Sequence, residues 1–277
     1  MSGPVVSRRR EVSGGSARSL LTTVLGEFVL PLDRQVWTST LVEALALFDV
    51  EEKAARQALA RTAAEGWVSA DRVGRRVRWT LTAEGRRLLA EGATRIYGFG
   101  SRSREWDGRW LVVLVSVPET QRDLRHKLRT RLSWAGFGSP TAGVWITPHL
   151  SAEADAKLIL DELDLSSQAM SYLAQYGALG SERVMVERAW DLAEVAARYQ
   201  AFVDEFAVLA PSTPDEVLRA QTLLVHEWRR FPFLDPQLPE ELLPPKWSGT
   251  TATALFNELH VRWRTPAQER WAELARD

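Results

Sequence analysis

The sequence predicts an α+β chain in three parts: an N-terminal winged helix-turn-helix, a central ferredoxin-like (split βαβ) domain and a mostly helical C-terminal domain. Three observations predict it. Helical periodicity runs into a short basic hairpin between Thr38 and Thr82. A continuous apolar run over 111–117 is followed by alternating helical and strand patterns. From Glu187 onward, apolar residues recur at helical spacing. The implied boundaries are a tail over 1–15, a winged unit over 16–97, a linker over 98–107, a central unit over 108–186 and a helical unit over 187–277.

Residues 1–15, rich in Ser, Gly and Arg and without periodicity, are expected to be disordered. Arg8, Arg9 and Arg10 suit phosphate contacts and a solvated tail equally well. Ser16 caps a helix reaching about Phe28, in which Leu20, Leu21, Val24, Leu25 and Phe28 form one buried stripe. Pro31 ends it. A second helix starts at Thr38 or Ser39 and turns Leu41, Leu45 and Phe48 inward. Asp49 and Glu52 have the spacing of a capping box, in which each satisfies a backbone amide near the helix start. They are expected to open a third helix over 50–65, stopped by Gly66.

At ~100° per residue, Ala54, Ala55, Ala58, Leu59 and Thr62 gather on one side of that third helix. Glu52, Lys53, Arg56, Gln57, Ala60 and Arg61 gather on the other. A hairpin follows: Trp67 to Ser69, the turn Arg72-Val73-Gly74-Arg75, and a return arm to Thr80. Thr82 begins a fourth helix, to about Ile96. Small residues for close approach, with Arg, Lys and Gln to reach base edges, are what a recognition helix offers a major groove. Double-stranded DNA is therefore the expected partner, with Lys53, Arg56, Gln57 and Arg61 in the groove and Arg72, Arg75, Arg76 and Arg78 at the wing, mainly on phosphates. The competing reading of such a charge run is a solvated face. For Arg61, at the margin of the polar face, it is a salt bridge within the domain.

Composition agrees. Hydrophobic residues make up 45% and charged residues 26% of the chain, ordinary globular values. No apolar run is long enough to span a membrane, and Ser7 to Arg10 lack the apolar core of a signal peptide. Without cysteine there is neither disulfide nor thiolate zinc site, which fits a reducing compartment; a cytoplasmic protein is expected. The net charge of −1 hides an asymmetry: residues 1–135 carry 23 Lys and Arg against 15 Asp and Glu, and the remainder 12 against 21. Only the basic front half is suited to an anionic polymer.

In the central unit, a strand over 109–117 is buried on both faces. A helix over 121–135 follows, with Leu124, Leu128 and Leu132 inward and Arg122, Arg125, Lys127, Arg129 and Arg131 around the rest. A second strand covers 143–147, Ser151 caps a helix to about Leu163, and 169–175 reads as a further strand. Trp190 to Phe206 marks one long helix, and Ser212-Thr213-Pro214-Asp215-Glu216 is a strong start signal for the next, to about Arg230. The Pro-rich stretch 231–239 reads as a wrapping loop, and short helices over 240–243, 251–264 and 266–275 close the chain.

Over nearly its whole length after the tail, the sequence resembles the PaaX-like family of transcriptional repressors, known for controlling phenylacetic acid catabolism. The resemblance rests on EEKAARQALARTAAEGW with the RVGRR wing, on DGRW and GFGSPTAGVWITP, and above all on LVHEWRRFPFLDPQLPEELLPPKWSG. It implies a homodimer on a palindromic operator, released by an aryl-CoA thioester such as phenylacetyl-CoA. Such an effector needs cations at its phosphate end and a dry aromatic pocket at its acyl end. Arg122, Arg125 and Arg129 are one candidate source of cations, although that helix suits a DNA backbone or a solvated face as well. His226, Trp228, Arg229 and Arg230 are a second candidate patch, with core packing as the competing reading.

Catalysis finds little support: His126, His149, His226 and His260 are dispersed, and there is no HExxH, P-loop or dinucleotide fingerprint. No metal or cofactor is expected. Ferredoxin-like units similar to this one occur in small CRISPR-associated nucleases, where a strand-end Asp binds metal; residues 111–117 contain no Asp. The alternatives to an effector-released repressor are an effector-independent regulator controlled by a protein partner and, more remotely, a metal-dependent nuclease.

Overall fold

In a computed structural model, which describes residues 16–100 and 106–276, Ser16 opens the first helix as its position asks: its hydroxyl accepts from the Ser19 amide at 3.2 Å. The tail over 1–15 and residues 101–105 of the expected linker lie outside the described residues. Helix α1 (Ala17–Val24) widens into a π-helical turn, Leu25–Val29. A two-residue strand β1 (Val36–Trp37) leads into α2 (Thr38–Ala46), and α3 (Glu52–Ala64) follows. Strands β2 (Val68–Val73) and β3 (Arg76–Leu81) form the hairpin, and α4 is Ala83–Tyr97. The sheet order is β1-β3-β2, antiparallel throughout.

The capping box expected at Asp49 and Glu52 does not form. Asp49 adopts φ +58° just past α2, its amide donating to Ala46 O at 3.0 Å, and α3 opens after an extended Glu51 with no side-chain cap. A short polar residue tolerates this left-handed conformation. Asp49 is spent on ending one helix, and Glu52 reaches forward along α3 instead of back.

The next strand, β4 (Arg109–Leu114), begins a β-α-β-β-α-β run. It continues through α5 (Arg122–Trp134), β5 (Gly138–Thr141), β6 (Val144–Thr147), α6 (Glu153–Glu162) and β7 (Met170–Gln175). The sheet order is β5-β6-β4-β7, each neighbour antiparallel. Leu111 and Val113 of β4 bury against Leu128 and Leu132 of α5 and Ala156 and Leu160 of α6. Strand β5 is absent from the sequence expectation because Gly-Ser-Pro has poor strand propensity; it lies at the sheet edge, where Pro is tolerated. Ser151 does not cap α6, which a 3₁₀ turn over Leu150–Ala152 introduces.

The helix expected from Trp190 is preceded by another. α7 (Glu182–Ala189) and α8 (Leu192–Phe206) are parted at Trp190, which is extended (φ −134°, ψ 141°) and stacks on Trp110 with ring centres 6.2 Å apart. α9 (Pro214–Trp228) starts on a complete capping box between Thr213 and Glu216, as its sequence predicts. The wrapping loop contains a single helical turn, α10 (Phe231–Leu234). The two helices expected over 251–264 and 266–275 are one, α11 (Ser248–Leu274), which runs through Pro266. Proline removes one backbone hydrogen bond there. Trp263, Ala267 and Trp271, spaced at four, are all buried and keep the helix running.

The chain divides into two compact units. One contains the chain up to Gly98 with Glu205–Arg229 and Ala254 onward; the other contains Phe99–Asp204 and Arg230–Thr253. The first unit's core joins Leu21, Leu25, Leu41, Leu45 and Leu59 to Leu218 of α9 and to Ala267 and Trp271 of α11. Trp271 stacks on Phe28 at 5.2 Å. The reason is the width of the apolar stripe on α1, which α2 and α3 leave partly uncovered.

The same unit buries a polar cluster that the sequence does not announce. Glu27, in the π-helical turn, is 8% exposed; it accepts from the Tyr97 hydroxyl and from Gln221 Nε2 (2.9 Å), and His260 Nε2 lies 3.9 Å away. Burial pushes the Glu27 carboxyl up to about 7, against lowering contributions from Gln221 and Arg264. Burial, then Arg264, pushes His260 down to about 4.

Candidate nucleic-acid interface

Helix α3 places its two faces as the spacing predicts. Ala55, Ala58, Leu59 and Thr62 are buried, while Lys53, Arg56, Gln57, Ala60 and Arg61 are exposed. Glu52, Lys53, Arg56, Gln57 and Ala60 line an open depression on the outer face. Within it, Arg56 Nε donates to Glu52 Oε1 at 2.7 Å, one helical turn back. No carboxylate of the described residues pairs with Lys53 or Arg61, so the salt bridge considered for Arg61 is not made.

The hairpin is fixed at its root and open at its tip. Gly85, at the start of α4, sits so close to the hairpin that a Cβ there would meet Trp67 O at 2.0 Å. Next to it, the Thr82 hydroxyl donates to Gly66 O (2.5 Å) and accepts from the Gly85 amide (3.0 Å). At the tip, Val73 pairs with Arg76 across a two-residue loop whose first residue, Gly74, has φ +62°. A hairpin loop that needs a left-handed first residue takes glycine there. The turn is thus Gly74-Arg75, within the four residues expected.

The wing arginines fall into two kinds. Arg72 and Arg75 are exposed and pair with no carboxylate of the described residues. Arg76 and Arg78 are held. Arg76's guanidinium lies 4.0 Å from the centre of the Trp37 ring and Arg78's lies 6.0 Å from it. Arg78 also grips Asp71 through Nε (3.0 Å) and Nη2 (2.7 Å). Trp79 Nε1 donates to Thr38 Oγ1 (2.9 Å), which itself donates to Val77 O (3.0 Å), tying α2 to β3. Sequence reasoning passed over Trp37 and Asp71, and took Thr38 only as a helix start. The signal was present in the Val36-Trp37 pair directly before a helix start, which reads as a strand only once β3 is alongside.

Of the two patches considered for an effector, the α5 arginines remain on the surface: Arg122, Arg125 and Arg129 are exposed, Arg125 lying 3.7 Å from Glu119. The second is divided between core and surface. His226 and Trp228 are buried; His226 Nδ1 bonds to Thr23 Oγ1 at 3.0 Å, and Trp228 stacks on Phe256 at 4.4 Å. Arg229 donates to Ser19 Oγ (2.5 Å), and Arg230 is exposed. His226 and Trp228 belong to the last turn of α9, while Arg229 caps it and Arg230 lies beyond it. Among the described residues no group of His, Asp and Glu is placed to hold a metal ion, and no helix is long and apolar enough to cross a membrane.

Comparison with known proteins matches three successive segments of the chain. Residues 16–85 match the PaaX-like protein family, 103–186 the PaaX protein central Cas2-like domain, and 190–273 the PaaX-like protein C-terminal domain. The transcriptional repressor PaaX of Escherichia coli (strain K12) is 31% identical over 258 residues, covering 89% of this chain and 80% of that protein. The chain belongs to the PaaX-like family of transcriptional repressors. A solved structure of an uncharacterized protein, Rv0674, from Mycobacterium tuberculosis has the same fold. It superposes with a TM-score of 0.63 at 22% identity, covering 94% of this chain and 98% of that one. The family's central domain thus corresponds to the β4–β7 sheet with α5 and α6, and its C-terminal domain contributes helices to both compact units.

Proposed function

We propose that this PaaX-like chain is a ligand-responsive transcriptional repressor that binds duplex DNA through a winged helix-turn-helix formed by α2, α3 and the β2–β3 hairpin. The observation that carries the reading is the set of exposed cations on α3 and on the hairpin: among the described residues Lys53, Arg61, Arg72 and Arg75 have no carboxylate partner, so their attraction for an external polyanion is not spent on one. A helix ~10–12 Å across fits a major groove ~12 Å wide. Arg56 and Gln57 then face base edges, and the hairpin arginines face phosphates.

As in the wider reading of the family, the chain acts as a homodimer on a palindromic operator, with recognition helices about one helical turn apart. The β4–β7 unit, with its β-α-β-β-α-β order, is ferredoxin-like. An aryl-CoA thioester, phenylacetyl-CoA being the first to try, releases the DNA by preferring the non-binding state. Its effect on operator affinity is limited to that preference. The α5 arginines Arg122, Arg125 and Arg129 are the candidate phosphate-end contacts.

The test is a titration of a duplex taken from upstream of the chain's own gene, with and without a panel of aryl-CoA thioesters. Binding that one thioester weakens at least tenfold is the expected result. Specific binding that no thioester alters removes the effector, and an absence of binding at low salt removes the DNA reading.

A further inference from the structure

The two kinds of wing arginine divide the labour of the hairpin. Strand β1 pairs with β3 so that Trp37 stands opposite Arg78, and Arg76 is the diagonal neighbour on the same face. An indole is broad enough to serve both positions, and the two guanidinium groups lie 4.0 and 6.0 Å from its ring centre. Asp71, opposite Arg78 on β2, grips the second of them with two hydrogen bonds. Trp37 is half-exposed, so this contact contributes to the surface and little to the core. A free arginine loses most of its rotamer freedom when it engages a phosphate; one already laid on an aromatic face loses less.

We infer that Trp37 is a positioning residue for duplex DNA, holding Arg76 and Arg78 of the wing in the conformation that meets the phosphate backbone. The inference rests on the DNA-binding reading and adds to it a residue that touches no base itself. It also distinguishes a pair laid on an aromatic ring, Arg76 and Arg78, from Arg72 and Arg75 near the tip, which pair with no carboxylate of the described residues, Arg72 Nε donating only to Gly74 O at 3.3 Å.

The experiment measures affinity of the full chain for the upstream duplex and for a random duplex of equal length, across a salt series, for wild type, W37F, W37L, R76A and the W37L/R76A double variant. Thermal stability of each is recorded alongside. W37L should weaken binding about two- to fivefold, the size of an exposed cation–π contact, at an unchanged salt slope, because every charge is still present. R76A should lower that slope by about 1. W37F, which keeps an aromatic face, should recover most of the loss. In the R76A background the cost of W37L should shrink. A W37L protein that binds like wild type overturns the inference and leaves the DNA reading standing. So does one whose loss persists undiminished in R76A with no recovery in W37F, since that marks a purely structural effect. A wild type that binds neither duplex overturns both.

Discussion

Two residues show how much of the chemistry is decided one side chain at a time. Glu27 and His260 are pushed in opposite directions by the same burial. The folded chain holds a proton on Glu27 that the unfolded chain releases above about 4.5. The favourable state is therefore complete below that pH and is lost as pH climbs through about 7. His260 works the other way, being neutral in the fold, and costs stability as pH falls from 6.5 through about 4. Between pH 4.5 and 6.5 the two trends oppose, so wild-type stability alone hides them. Replacing Glu27 by Gln should expose the carboxylate's share. Relative to wild type, the variant should gain roughly 2 kcal/mol in urea unfolding on going from pH 5 to pH 8; a difference independent of pH would mean that Glu27 stays ionised in the fold.

At the same scale, Arg56 is held by Glu52 and aimed outward with 57% of its side chain exposed. Arg56→Ala should cost ~1–3 kcal/mol of specific binding and much less on random DNA; equal losses would reduce Arg56 to a phosphate contact. Both faces of α3 were legible because a 3.6-residue repeat needs only sequence. The fates of Asp49 and Glu52 were not, because a capping box and a left-handed helix stop use the same residue types, and the choice depends on the path from α2 to α3.

Element starts set by local signals were read closely, and features that depend on distant partners were not. The hairpin lies where alternation and a glycine turn put it, and α9 starts at its capping box. The break at Trp190 and the unbroken α11 were each decided by packing against chain far away in sequence, while β5, paired with its neighbour β6, was hidden by its Gly-Ser-Pro composition. The hairpin root gives a prediction that belongs here. Gly85→Ala puts a methyl into Trp67 O, a backbone atom that cannot step aside. It should destabilise the first unit by roughly 2–4 kcal/mol and weaken DNA binding through the displaced hairpin. A variant with wild-type melting would show that the junction yields freely.

For the whole molecule, the α+β composition and the family were accessible from sequence, but the long-range packing was not. A window moving along the chain sees successive segments. It has no means of seeing that Trp271 stacks on Phe28, or that α9 completes a core begun by α1. Trp271→Ala, far from any arginine of the interface, should cost about 3–5 kcal/mol and lower the melting temperature of the unit that carries α3. Unaltered melting of that unit would mean that its first 98 residues suffice alone.

Trp271 also sets a condition on synthesis. A ribosome that has delivered α3 and the hairpin has not yet delivered the indole that closes their core. A nascent chain, or one cut short by an early stop codon, therefore leaves Phe28 without the ring that covers it. Whatever α3 presents at that moment rests on an unfinished interior.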